Sequence, residues 1–209
     1  MKTFALLLVS ALILWGVIYN VFQPEAPAFS SVIIYPDARP LPEFELTDHN
    51  NHSFKKLQLQ GKWSLMFFGY TSCPDVCPTT MTALAQVANT LSPETLKQLQ
   101  FVFVSIDPER DSIEQLAEYV PFFHQDFIGV SGDLKQLTKL AMNLGAMFIK
   151  VPVDDPTDVE SANNYTMSHS GSLFVIDPRG RRHGIFTMTT GAIDIASISQ
   201  DLDTIIRYK

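Results

Sequence analysis

The sequence predicts an α/β domain, a mixed sheet with helices on both faces, preceded by one transmembrane helix. Three observations carry this. Trp63 to Tyr70 (WSLMFFGY) and Phe101 to Ile106 (FVFVSI) are near-continuous apolar runs, which suit strands buried on both faces. Segments of helical period follow such runs, the alternation that builds α/β sheets. From Phe4 to Phe22 the chain carries no charge, and about 20 apolar residues suffice to cross a bilayer.

The elements follow in order. FALLLVSALILWGVIYNVF is read as a membrane anchor within residues 1–23; the alternative is a signal sequence cleaved near Ala26-Pro27-Ala28. Lys2 ahead of the run places the N-terminus in the cytoplasm and exports the rest. Residues 24–41, rich in proline and poor in periodicity, read as a tether. Residues 42–209 are one domain. It opens with a hairpin from Phe44 to Phe54, turning at Asp48-His49-Asn50-Asn51. The Trp63–Tyr70 strand leads past Pro78 into a helix bearing Met81, Leu84, Val87 and Ala88 on one face. Ser92-Pro93 opens a short helix. After the Phe101–Ile106 strand, Asp111 to Glu114 resembles a capping box, starting a helix that ends near Pro121. A short strand spans Phe127–Val130, a helix capped by Ser131 runs to Leu144, and a strand spans Ala146–Val151. Leu173–Ile176 and Gly184–Met188 form a hairpin around Asp177-Pro178-Arg179-Gly180, and Asp194 starts the last helix. This order is the outline of a thioredoxin-like fold with an added N-terminal β-hairpin.

The 209 residues carry a net charge of −7, and because Lys2 and Glu25 cancel, all of it belongs to the exported domain. That balance argues against a nucleic-acid partner. The stretch VDDPTDVESANNY holds Asp154, Asp155, Asp158 and Glu160 and reads as a long acidic loop that could meet a basic partner face.

Cys73 and Cys77, the two cysteines of the chain, lie in GYTSCPDVCPTTM. Proline is tolerated only in the first turn of a helix, so Pro78 puts the helix start close to Cys77, in an exposed loop after a strand. There the helix dipole favours thiolate. A structural disulfide would close a very small loop and stabilise little. A dithiol redox pair, half of a metal site and a thiol peroxidase remain open. Among the histidines, His49 and His52 fall in a polar hairpin tip, His124 near a helix end and His183 in the basic turn RGRRH. His169 lies in YTMSHSGSLFVIDP, just ahead of a strand expected beside Trp63–Tyr70.

FFGYTSCPDVCPTTM, FVSIDPERDS and YTMSHSGSLFVIDPRGR, in this order, resemble the signature regions of the Sco (SenC) family. These are membrane-anchored copper proteins of thioredoxin-like fold that assist assembly of the CuA centre of cytochrome c oxidase. The resemblance implies copper ligation by Cys73, Cys77 and His169, with Cu(I), Cu(II) or both as the bound ion. It implies the CuA-bearing oxidase subunit as partner, a copper donor protein as a second, and a periplasmic domain on the bacterial inner membrane. Asp107 matches an acidic residue of the family, with a turn hydrogen bond as its alternative role. Ser168 departs from the acidic residue that many members carry before the histidine, and Met167 is read as packing. The alternative function is a membrane-tethered thiol–disulfide reductase using Cys73 and Cys77 alone. Two thiolates and an imidazole suit Cu(I), whereas zinc normally takes a fourth ligand.

Overall fold

The computed structural model describes residues 12–19, 28–153, 165–187 and 193–208. Most of the charge-free run and most of the acidic loop fall outside these. Residues 12–19 are helical and exposed. Among the described residues no helix is long and apolar enough to cross a membrane.

An eight-stranded sheet has the order β1-β10-β9-β4-β5-β6-β2-β3. Its centre is β4 (Trp63–Gly69), all seven residues buried, parallel to β5 (Leu99–Ser105) and antiparallel to β9 (Leu173–Ile176). Parallel β6 (Ile128–Ser131) follows β5, and the hairpin β2 (Glu45–Asp48) and β3 (Ser53–Lys55) closes that edge through β2. β10 (Arg181–Phe186) turns back on β9 as the sequence implies.

The helices are α1 (Val76–Thr90), α2 (Pro93–Lys97), α3 (Ile113–Phe123), α4 (Leu134–Leu144) and α5 (Ile195–Arg207). Side-chain caps begin most of them. Ser92 accepts from Thr95, Asp133 from Lys135 and Asp194 from Ser197. Gly145 ends α4 in the left-handed conformation, φ 82°.

Several expectations shift. Val32–Pro40, expected as tether, is strand β1, paired antiparallel with β10 on the sheet edge. The edge tolerates Pro36 and Pro40 because one side needs no hydrogen bonds. The buried Asp201 of α5 clasps the start of this strand, accepting from the N–H groups of Ser30, Ser31 and Val32 and from both serine hydroxyls. Burial pushes its pKa up, but these donors outweigh it and the carboxyl ends below its usual range. The capping box of α3 is Ser112 with Gln115, one residue later than expected. α3 also continues two residues past Pro121, to Phe123. Asp133, not Ser131, caps α4; Ser131 ends β6. Finally β7 (Phe148–Pro152) leaves the main sheet and pairs with β8 (Tyr165–His169), a strand the sequence reading lacks. The two form an arm that ends at the functional residues.

Candidate metal centre

The site lies at the C-terminal end of β4, where α/β sheets place their ligands. Gly69 ends the strand. A Cβ there would stand 2.7 Å from the Phe103 ring and 3.0 Å from the Cys77 sulfur, so only glycine lets the thiol sit against the sheet. Thr71 follows, and its N–H and hydroxyl both donate to the buried Asp111, at 2.9 and 2.6 Å. Ser105 at the end of β5 donates to the same carboxylate at 2.6 Å. Asp111 therefore locks the two central strand ends and the entry to the cysteine loop together.

Cys77 is the second residue of α1 and is fully buried; Pro78 comes third, where its missing N–H is not needed. The pair is thus less open than expected, since Cys73 is half-buried against the core and Cys77 is closed off. Burial pushes the Cys77 thiol well above its usual range, overriding the helix dipole. The free protein holds this sulfur as a thiol, and an arriving cation must displace its proton. The Cys77 N–H points at the Cys73 sulfur, 3.4 Å away.

His169 ends β8. Its Nδ1 lies 3.1 Å from the Ser170 carbonyl, which can only accept, so Nδ1 carries the proton. Nε2 then presents its lone pair to the Cys77 sulfur at 3.7 Å. Burial holds the imidazole below its ordinary pKa and keeps it neutral, the form that binds metal. Phe67 and Tyr70 pack edge-on against the ring, with centroids 6.0 and 6.1 Å away. The absent acidic residue at 168 is answered here. Ser168 is exposed at the rim of the same cleft, and it is the Ser170 carbonyl that orients the ring. Met167 is buried in the core, as expected of a packing residue.

The ligand atoms of Cys73, Cys77 and His169 all lie within 4.8 Å of one another, a set able to hold one metal ion. They border a cleft of about 300 Å³, also lined by Tyr70, Pro74 and Thr166. Two sulfurs and one neutral imidazole around an open side suit soft, low-coordinate Cu(I) better than zinc.

A polar clamp holds the histidine strand. Buried Asp107 accepts from the Tyr165 hydroxyl at 2.6 Å and pairs with Arg110. Arg110 donates to the Tyr165 carbonyl at 2.9 Å and covers the Tyr165 ring at 3.8 Å. Tyr70 and Thr166 bond through their hydroxyls at 2.9 Å. Burial first, and then the Asp107 carboxylate, push the Tyr165 hydroxyl up to about 12 against the opposing charge of Arg110. Asp107 thus has a role beyond its own turn. Tyr70, Thr71, Arg110, Asp111 and Tyr165 are site-supporting residues that the sequence reading lacks; their signal was their place inside the three quoted motifs. The other histidines serve elsewhere. His49 is not simply solvated, since its Nδ1 accepts the Gly129 N–H at 2.9 Å. His124 stacks on Phe127, and His183 meets Trp63 edge-on.

Fold and site together define a thioredoxin-like protein whose dithiol is completed by a histidine. The SCO1/SenC family model matches residues 36–206. The chain belongs to that family. A protein of Stutzerimonas stutzeri is 37% identical over 155 residues, 74% of this chain and 72% of its own. A SCO2-like protein of Rickettsia conorii is 34% identical over 180 residues, 84% of this chain and 85% of its own. The structure of Bradyrhizobium japonicum ScoI with copper bound superposes with TM-score 0.67 at 30% identity, covering 79% of this chain and 98% of that one.

Proposed function

We propose that Cys73, Cys77 and His169 bind copper and that the protein passes it to the CuA-bearing subunit of cytochrome c oxidase. The observation that carries this is the convergence of two sulfurs and a histidine nitrogen within 4.8 Å, from the start of α1 and the end of β8, far apart in sequence. Copper on the similar Bradyrhizobium japonicum protein supports the choice of metal. Thiolates favour Cu(I), and a three-ligand site leaves a side through which a partner's ligands can take the ion by exchange. The N-terminal span holds the domain at the periplasmic face of the inner membrane, with residues 42–209 as the copper-binding unit, and a donor protein supplies the ion. Asp107, Arg110 and Tyr165 position the histidine strand.

The test is a titration of the reduced protein with one equivalent of Cu(I) against a competing chelator. Wild type retains copper and His169→Ala releases it. A reduced protein that takes up no copper removes the proposal.

A second reading is favoured by the half-buried Cys73 beside a buried Cys77. In it, the Cys73 thiolate attacks a partner disulfide and Cys77 then displaces the reduced partner, leaving a Cys73–Cys77 disulfide. His169→Ala separates the readings, since it leaves partner reduction intact while copper is lost.

A further inference from the structure

The end of the sheet opposite the copper site has a character of its own. A cavity of about 370 Å³ there is lined by Phe29, Trp63, Arg179, Arg181, Ile205 and Tyr208 among others. Trp63 is 5% exposed, and its indole N–H finds no acceptor among the described residues. Around the cavity the turns are basic. Lys62 immediately precedes β4, Lys97 ends α2 just before β5, and Arg179 lies in the β9–β10 turn. Pairing of Gly61 with Pro178, and of Trp63 with Gln98, brings these three turns together. Lys62, Lys97 and Arg179 are exposed and form no ion pair among the described residues, while Arg181 is tied to Asp177. The copper end differs, for Asp75 and Glu114 are exposed at the starts of α1 and α3, Asp107 and Asp111 are buried, and Arg110 and Lys150 pair with Asp107 and Glu109.

Position adds a second argument. Phe29 lines the cavity, and the Asp201 clasp fixes the chain at the next three residues. The charge-free run ends at Phe22, seven residues earlier, and so short a segment spans at most about 25 Å. The cavity therefore stays near any bilayer that holds that run. Aromatic rings with arginine and lysine are the side chains that settle at a lipid headgroup layer.

We propose that this basic, aromatic face docks on anionic phospholipid headgroups, with the phosphate met by Arg179, Lys62 and Lys97 and the Phe29 and Tyr208 rings at the cavity mouth against the glycerol region. The inference rests on the membrane-anchor reading for its geometry. Docking points the copper end away from the lipid.

The test uses the full chain with vesicles of phosphatidylcholine, alone or mixed with phosphatidylglycerol. Flotation reports the anchor, and amide hydrogen exchange in residues 177–183 and 203–208 reports the face. Support is several-fold slower exchange there in phosphatidylglycerol vesicles only, lost in high salt and in the triple variant Lys62→Glu, Lys97→Glu, Arg179→Glu. These side chains are exposed, so the variant should keep the fold; unchanged Cu(I) binding checks this. A chain that floats with both vesicles but shows equal exchange overturns the docking and leaves the anchor standing. A chain that floats only with phosphatidylglycerol, and not as the triple variant, supports the docking without the anchor. Flotation with neither overturns both.

Discussion

The two halves of the metal centre are built differently. The cysteine half stands on β4, buried on both faces, and is pinned by Asp111 with three donors. The histidine half stands on a two-stranded arm that pairs with nothing in the main sheet. The β7 strand of that arm is largely open, with Ile149 64% exposed. The arm is tied down by Met167 buried in the core, by Phe148 and Tyr165 packed against it, and by a polar set: Tyr165 to Asp107, Arg110 to the Tyr165 carbonyl, Tyr70 to Thr166. Apolar burial is distributed and hard to undo locally, whereas a few hydrogen bonds can open together. Two of the three candidate metal-binding residues thus stand on a deeply buried strand end, and the third on a smaller anchorage that is partly polar.

The comparison can be broken most severely at the firm half. Cys77→Ser should abolish copper binding by competition titration, a loss beyond the 10- to 100-fold typical of outer partners (about two orders of magnitude at most). Asp111→Ala should lower the unfolding free energy in urea by about 3 kcal/mol, since it strands one buried and two part-buried donors. The loose half should respond in affinity more than in stability. Tyr165→Phe should weaken copper about 10-fold while costing about 1 kcal/mol or less in urea. If it destabilises as much as Asp111→Ala, the arm is no looser than the loop. Ser112→Ala, which uncaps α3 without touching either half, should cost about 1 kcal/mol and leave copper affinity unchanged. The smallest effect is far from the centre, at His183, whose pKa burial lowers against Asp177. The unfolded chain then takes up a proton near pH 6.5 that the folded chain resists. Stability should fall slightly as pH drops below that point, and His183→Gln should flatten this part of the curve.

How far the sequence revealed all this follows the same division. The strands around β4 were legible because burial on both faces writes a continuous apolar run. The β9–β10 hairpin was legible through Asp177 to Gly180. Strand β8 was not, because the alternation of Tyr165 to His169 lasts only five residues and the strand lies half-exposed on a small separate sheet. Strand β1 was hidden by its prolines, which an edge can absorb, and by the register shift between Ile34 and Arg39. The burial of Cys77 was missed for another reason. Proline and dipole rules speak of the local chain, while Gly69 and Phe103, which make room for the sulfur, come from other strands.

The clasp of Asp201 on residues 30 to 32 has one more consequence. A strand at the rim of a sheet is the easiest to peel away and lend to a second copy of the chain. Here peeling from the front end must first strip five hydrogen bonds from a single carboxylate. The front end of β1 is therefore held by α5, and the chain cannot gain slack there by unzipping the strand until that carboxylate lets go.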